Sequence, residues 1–462
     1  MILYLVLLLS GFVALFIIKL KRAYFFNLAE QSVSLLNDLL TNEEDDVKLE
    51  LLQSSTNNLI KSLFKNVLLF IIAIAMAFLP VYVFSILTPA SLSEINFASW
   101  QSIVAISIGA TVPFLIPSKH KSDSNYSELS QLLHRMVLNN YTIGYKLFKR
   151  EVKTVEKQGN QLNEKFLIVT GLARSGTTSL LNAIQQTGQF SSLNYANMPF
   201  LMSPNCWKKI YNPKETEQKE RSHGDGIKIG LDSTEALEEY FFKLKANDNF
   251  IEDELLKEYA LESEDYVDYL NYQSIVKNKS NKTYLAKNNN FLLRYNSLRE
   301  LNKKFTVVVL CRHPLYHAAS LLEKHLFYSN LQVEDPFVLE YMNWLGHHEF
   351  GINQKVFEFK NGRGITSTDK TKLDYWLEVW INYYSKTLTI VDSNTILLTY
   401  EQFCQNPNKV VNNILSKFSI QDVSESLETH NNIRKVEYKY SEEMLDEALK
   451  VYRAIEHNKQ PH

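Results

Sequence analysis

Hydrophobic and polar positions divide this 462-residue chain into two unlike parts. The first part carries three long charge-free apolar runs. Residues 2–18, ILYLVLLLSGFVALFII, are just long enough to cross a bilayer. Val67 to Leu87 is a second run with Pro80 inside it. Phe97 to Pro117 is a third, diluted by Ser, Thr and Gly, with Trp100 at the outer end where interface aromatics sit. No basic residue precedes the first run and no small-residue cleavage site follows it, so it reads as a retained anchor. Between the first two runs, Lys19 to Lys65 reads as a helical hairpin with a solvated acidic bend at Glu43-Glu44-Asp45-Asp46. Ser127 to Lys157 has the period of one amphipathic linker helix.

Beyond residue 160 the pattern changes. Short apolar runs end at Gly or polar positions and give way to helical periods, which predicts an α/β fold with a parallel sheet. Phe166 to Val169 reads as a buried strand, and Ser179 to Gln186 as a helix with Leu180, Leu181 and Ile184 on one face. Phe305 to Cys311 is a strongly β-branched strand. Arg312-His313-Pro314 breaks it, and a helix begins near Leu315. A short strand ends in Tyr284-Leu285-Ala286-Lys287-Asn288-Asn289-Asn290, before a helix from Phe291 to Leu301. The expected division is a helical membrane module over 1–121, a linker over 122–164 and a catalytic domain over 165–462.

Charge sets the expected orientation. The connection after the first run holds Lys19, Lys21, Arg22, Lys48, Lys61 and Lys65, the connection from Thr88 to Gln101 holds no Lys or Arg, and Lys119 and Lys121 follow the third run. The positive-inside rule then puts the N-terminus outside and residues 118–462 in the cytoplasm. A third run that is re-entrant would reverse that placement.

The chemistry is concentrated between the first α/β strand and its helix. Gly171-Leu172-Ala173-Arg174-Ser175-Gly176-Thr177-Thr178 combines two glycines, one cation and three hydroxyls at a helix N-terminus, an arrangement suited to an anion. The glycine spacing is that of a nucleotide P-loop, but Thr177 stands where the lysine belongs and the basic residue has moved to Arg174. Here the sequence resembles the PAPS-dependent sulfotransferases, whose 5′-phosphosulfate loop has the form G-x-x-[RK]-[ST]-G-[ST]-[ST]. Their 3′-phosphate motif is an Arg at a strand end, a Pro two residues later and a Ser eight residues after the Arg. Arg312, Pro314 and Ser320 match it. A guanidinium fork and a hydroxyl suit a phosphate dianion.

The resemblance covers roughly residues 165–455 and implies a three-layer fold around a central parallel sheet. It implies that Gly171, Arg174, Ser175, Gly176, Thr177, Thr178, Arg312 and Ser320 bind PAPS. It places Lys287 near the sulfonate, although the proline that follows the lysine in many members is missing. It places Tyr400, in the run Thr395 to Phe403, near the nucleoside. Arg174 and Lys287 would stabilise charge as sulfonate leaves the phosphate, the role Mg²⁺ serves in kinases, so no metal is expected. Tyrosylprotein-type members carry a catalytic glutamate one helix beyond the loop, but Ser192 to Pro199 holds no carboxylate. His223 and Asp225, in the small-residue turn Arg221-Ser222-His223-Gly224-Asp225-Gly226, are the substitute candidates for the base. Gly346-His347-His348-Glu349 reads as a structural or acceptor-site loop, because adjacent histidines point apart and no third metal ligand is evident.

Lys and Arg total 49 against 51 Asp and Glu, so no charge excess attracts nucleic acid. Cys206, Cys311 and Cys404 are sparse and lack CxxC spacing, which argues against a disulfide framework and places the domain in a reducing compartment. The expected protein is an integral membrane protein of a bacterial inner membrane. Its partners would be the lipid bilayer, PAPS and PAP, and a lipid-linked or glycan acceptor. Two other readings share the loop: a membrane-anchored P-loop NTPase or kinase, and a non-catalytic nucleotide-binding scaffold.

Overall fold

The computed structural model describes residues 2–41, 45–88, 96–116, 127–159, 162–211, 219–220, 228–229, 236–278, 280–421, 427 and 435–457. The chain divides into two compact units, Met1–Thr142 and Ile143–His462.

The first unit is helical: α1 (Ile2–Leu20), α2 (Ala23–Leu40), α3 (Asp45–Leu87), α4 (Trp100–Leu115) and α5 (Glu128–Leu138). Among the described residues two helices are long and apolar enough to cross a membrane by length and composition, α1 and the apolar part of α3. The second apolar run is thus the C-terminal half of one continuous helix. The third run forms a helix of 16 residues, about 24 Å at 1.5 Å per residue, shorter than a hydrocarbon core of about 30 Å. Ile71, Ile74, Phe78 and Leu79 of α3 point outward. Helices α1 and α4 meet through glycine: a methyl group on Gly11 would strike the Ile106 carbonyl, and one on Gly109 the Leu8 carbonyl. Small residues allow that approach where lipid supplies no hydrophobic drive. Lys19 Nζ donates to the Pro113 carbonyl at 2.6 Å and to that of Ile116, capping the end of α4.

The expected hairpin is present, with α2 lying along the N-terminal half of α3. Its seam is polar. Ser62 Oγ donates to Asn27 Oδ1 at 2.9 Å, Asn66 Nδ2 donates to the Tyr24 carbonyl at 3.0 Å, and Ser55 bonds to Asp38. Of the acidic bend, Asp45 and Asp46 open the first turn of α3, where carboxylates suit the helix dipole; Glu43 and Glu44 lie outside the described residues. The expected linker is two helices, α5 and α6 (Tyr141–Lys157), parted at Asn139-Asn140, a residue type that favours helix ends over helix interiors.

The second unit alternates strands and helices. After α6 come β1 (Phe166–Thr170), α7 (Thr177–Gln186), β2 (Phe190–Ser191), α8 (Pro204–Lys208), β3 (Lys219–Glu220) and β4 (Lys228–Ile229). Then follow α9 (Glu239–Ala246), β5 (Leu255–Lys257), α10 (Ser263–Lys277), β6 (Thr283–Lys287), α11 (Tyr295–Leu301) and β7 (Thr306–Cys311). The chain continues through α12 (Pro314–Glu334), α13 (Pro336–Trp344), β8 (Val356–Glu358), α14 (Leu373–Leu388) and β9 (Thr395–Thr399). It closes with α15 (Tyr400–Gln405), α16 (Pro407–Ser416) and α17 (Glu442–Glu456). The expected helix from Phe291 begins as a 3₁₀ turn, Phe291–Arg294, before α11.

The central sheet has five strands in the order β2-β6-β1-β7-β9, all parallel. Alternate residues of β1 serve opposite faces. Leu167 and Val169 pack with Leu180, Leu181 and Ile184 of α7 and with Ile414 of α16. On the other face, Thr170 Oγ1 lies 3.1 Å from the Tyr383 hydroxyl of α14. The sheet is therefore sandwiched between helices, the α/β arrangement expected. From β1 the chain first builds toward β2 and β6, then crosses to β7 and β9. Ligands of open α/β sheets bind at the carboxyl ends of strands where the order reverses, which here is the end of β1.

Candidate functional site

Four adjacent strands, β6, β1, β7 and β9, each end on or run directly into a candidate residue. Register aligns Val169 with Lys287, Thr170 with Val309 and Cys311 with Thr399. The 171–176 loop, Lys287, Arg312 and Tyr400 therefore emerge side by side along one sheet edge.

The loop is shaped by three positive φ angles, Gly171 at 144°, Arg174 at 72° and Gly176 at 96°. A left-handed arginine costs about 1–2 kcal/mol, so the surrounding structure must hold it. The Leu172 carbonyl accepts from Ser175 N at 3.2 Å. Arg174 Nε donates to Ser320 Oγ on α12 at 3.3 Å. That contact joins the two halves of the resemblance. Thr177 and Thr178 are the first residues of α7, and the Gly176 carbonyl accepts from Leu180 N at 3.2 Å. The helix thus starts two residues earlier than its apolar period.

Lys287 is buried, 7% exposed, and its Nζ donates to Thr178 Oγ1 at 2.9 Å. A lysine from the neighbouring strand thus reaches the first turn of α7. Tyr400 begins α15, one residue after β9 ends, and its ring covers Gly176: a methyl group there would meet Tyr400 Cε2 at 2.6 Å. Arg312 lies over the same ring, 5.5 Å from its centre. Burial lowers the pKa of Arg312, and the nearby charge of Arg174 pushes it down further, against Tyr400 and Glu401. Two cations brought together in a desolvated edge favour an anion between them. A further tie comes from Glu401, whose Oε1 accepts from His313 N at 3.1 Å and whose Oε2 accepts from the Tyr452 hydroxyl at 3.0 Å.

His317 was not singled out from sequence. It lies three residues before Ser320 on α12, on the same helix face, which was the available signal. It is fully buried, and Nε2 donates to the Ala173 carbonyl at 2.8 Å, propping the loop from below. Burial pushes the imidazole down to about 3 from 6.5. The Arg312 and Arg174 charges act in the same direction, against the Ala173 hydrogen bond. Between pH 6.5 and about 3 the unfolded imidazole binds a proton that the folded one refuses. Stability therefore falls on acidification through this window, by about 1.4 kcal/mol per pH unit at full effect. His348, pushed down to about 3 chiefly by burial, acts in the same sense. His317→Gln, which keeps a donor but cannot titrate, should give a flatter dependence of melting temperature on pH over that window.

A second network holds the segment after Lys287. Asn288 Nδ2 donates to Glu238 Oε2 at 3.0 Å and to Glu239 Oε2 at 2.9 Å. The Glu239 carboxylate takes a two-pronged bond from the fully buried Arg294, at 2.7 and 2.6 Å. Asn289 Nδ2 donates to Glu349 Oε1 at 2.7 Å, and Asn290 Nδ2 donates to the Gly346 carbonyl at 2.9 Å. These ties bring the 346–349 loop to the strand end that carries Lys287. As expected, its two histidines diverge: His348 is buried and its Nδ1 bonds to the Asn353 carbonyl at 3.2 Å, while His347 Nδ1 lies 3.3 Å from Glu349 Oε1. His223 and Asp225 lie outside the described residues. Among the described residues no group of three or more His, Cys, Asp or Glu could hold a metal ion. Cys311 is buried at the end of β7 and Cys206 and Cys404 are half-buried, none of the three in a disulfide.

No protein-family model matches the sequence. No curated protein matches it either. Among solved structures the chain is similar to sulfotransferase STF1 from Mycobacterium tuberculosis, at 12% identity and a TM-score of 0.39, over 65% of this chain and 80% of that one. It is similar to sulfotransferase STF9 from Mycobacterium avium, at 11% identity and a TM-score of 0.37, over 73% and 79%. A sulfotransferase from Alicyclobacillus acidocaldarius matches at 10% identity and a TM-score of 0.29, over 63% and 91%.

Proposed function

We propose that this chain is a membrane-anchored sulfotransferase that moves a sulfonate from PAPS to a hydroxyl or amine of a lipid-linked acceptor. The observation that carries this reading is the Arg174–Ser320 hydrogen bond, which brings a 5′-phosphosulfate loop and a 3′-phosphate motif into one cradle. The donor set fits the ligand. Arg174, Lys287 and Arg312 supply three cations, and Thr177, Thr178 and Ser320 supply hydroxyls.

In this reading Arg312 and Ser320 hold the 3′-phosphate, and Tyr400 flanks the nucleoside. The first backbone N–H groups of α7 hold the 5′-phosphate. The acceptor oxygen or nitrogen attacks sulfur in line. The new bond to sulfur forms as the bond from sulfur to the bridging oxygen breaks, and the electron pair leaves on the phosphate of PAP. Lys287 meets that developing charge beside Thr178. Thr177 at the first helical position, with lysine arriving from β6, separates the site from a nucleotide kinase loop, whose lysine sits in the loop beside the Mg²⁺-binding hydroxyl. The apolar helices α1 and α3 support attachment to a bilayer, with a cytoplasmic catalytic unit following from the Lys and Arg distribution.

The test is incubation of the full chain in bacterial lipid with sulfur-labelled PAPS. Label entering the organic-soluble fraction is the expected result. Hydrolysis of ATP with Mg²⁺ and no turnover of PAPS would replace this reading with the NTPase.

A further inference from the structure

We infer that His347, oriented by Glu349, is the general base that takes the acceptor's proton; this rests on the sulfotransferase reading above. The loop that carries it is fastened to the strand end that carries Lys287. Asn289, two residues after Lys287, donates to Glu349 Oε1 at 2.7 Å, and Asn290 donates to the Gly346 carbonyl at 2.9 Å. The Asn289 carbonyl accepts from the Tyr383 hydroxyl at 3.1 Å, and that hydroxyl also meets Thr170 Oγ1, the last residue before the phosphate loop. His347 therefore stands on the same sheet edge as the loop and Lys287, on the β6 side, away from Arg312 and Tyr400 on β7 and β9.

Its chemistry suits the task. The Glu349 side chain is 5% exposed and that of His347 20% exposed, so the carboxylate is enclosed and the imidazole reaches solvent. Burial pushes the Glu349 carboxyl up, but the His347 charge and the bonds from His347 and Asn289 outweigh it and leave it at about 2. An ionised Glu349 accepts from Nδ1–H, which leaves the lone pair on Nε2. Buried Asn289 Oδ1 and Glu349 Oε2 have no hydrogen-bond partner among the described residues. Both lie on the tie between the 346–349 loop and the segment that follows Lys287, where unused acceptors suit a ligand bearing hydroxyl or amine donors. His348 is excluded by its burial and its bond to the Asn353 carbonyl. In the step, Nε2 takes the acceptor's proton as the acceptor atom bonds to sulfur and PAP departs with the electron pair; Glu349 stabilises the imidazolium that results. Other charges near this loop are Lys243 and Lys355, both acting on His348.

The test uses the full chain, with PAP binding by calorimetry as the check that each variant is folded. Acylation of His347 by diethyl pyrocarbonate, read by peptide mass spectrometry, should be slowed more by PAPS than by PAP, which differ only in the sulfonate. The pH midpoint of that acylation should move down in Glu349→Gln, because the imidazolium loses its counter-charge. His347→Ala should lower PAPS hydrolysis by about a hundredfold or more with PAP affinity unchanged, and added imidazole should restore part of the rate. Equal acylation with PAP and PAPS, or wild-type hydrolysis in His347→Ala, would overturn the assignment while leaving the sulfotransferase reading in place. A wild-type chain that binds neither PAP nor PAPS would remove that reading itself.

Discussion

Replacing Lys287 by alanine should lower the turnover of PAPS about a thousandfold while PAP binding changes by only a few-fold. Lys287 closes β6, is 7% exposed, and places its ammonium 2.9 Å from Thr178 Oγ1 at the start of α7. In the proposed reaction that is where charge would accumulate on the departing phosphate, and a fixed cation in a water-poor site contributes most to a charge that develops in the transition state. PAP has already lost the sulfonate, so its affinity depends more on the loop amides and on Arg312. Turnover of labelled PAPS set beside PAP calorimetry on the same preparation checks this. An equal loss in both would mean that Lys287 merely holds the loop together.

The second large effect is on stability. Gly171→Ala should destabilise the second unit by about 3 kcal/mol or more, read as a fall in the denaturation midpoint. Gly171 has a φ of 144°, and a methyl group there would strike the Leu310 carbonyl of β7, which cannot move without parting the sheet. Gly188→Ala is the control. Its φ is 71° but nothing lies within 4 Å of the added carbon, so only the backbone penalty of about 1–2 kcal/mol applies. Similar losses in the two variants would show that the β1–β7 seam yields easily.

The strands and their ends were legible because each is a local pattern. Phe166 to Val169 and Phe305 to Cys311 are short apolar runs stopped by Gly171 and Arg312, and the structure extends or trims them by one residue. The loop over 171–176 was readable for the same reason, since its glycines are contiguous with the strand and helix it joins. What could not be read is made by partners far apart in sequence. Glu239 meets Arg294, Asn289 meets Glu349, and His317 meets Ala173, and no period or spacing links those pairs. Lys287 is an intermediate case. The family resemblance singled it out, but its meeting with Thr178 depends on the register that sets Lys287 opposite Val169, which no local pattern shows. The linker was misjudged because apolar periodicity continues across Asn139-Asn140, while a pair of asparagines favours local bonds over a continuous helix.

If the chain is a sulfotransferase, the edge formed by Arg174, Ser320, Arg312 and Tyr400 must take a nucleoside bisphosphate. The deciding measurement is calorimetric titration of the full chain with PAP, with ATP and Mg²⁺ as the comparison, in wild type and Arg312→Ala. The predicted result is tight PAP binding, weakened about a hundredfold or more in Arg312→Ala because a buried charge-assisted pair of bonds is lost. Binding of ATP with Mg²⁺ and no response to PAP would contradict it.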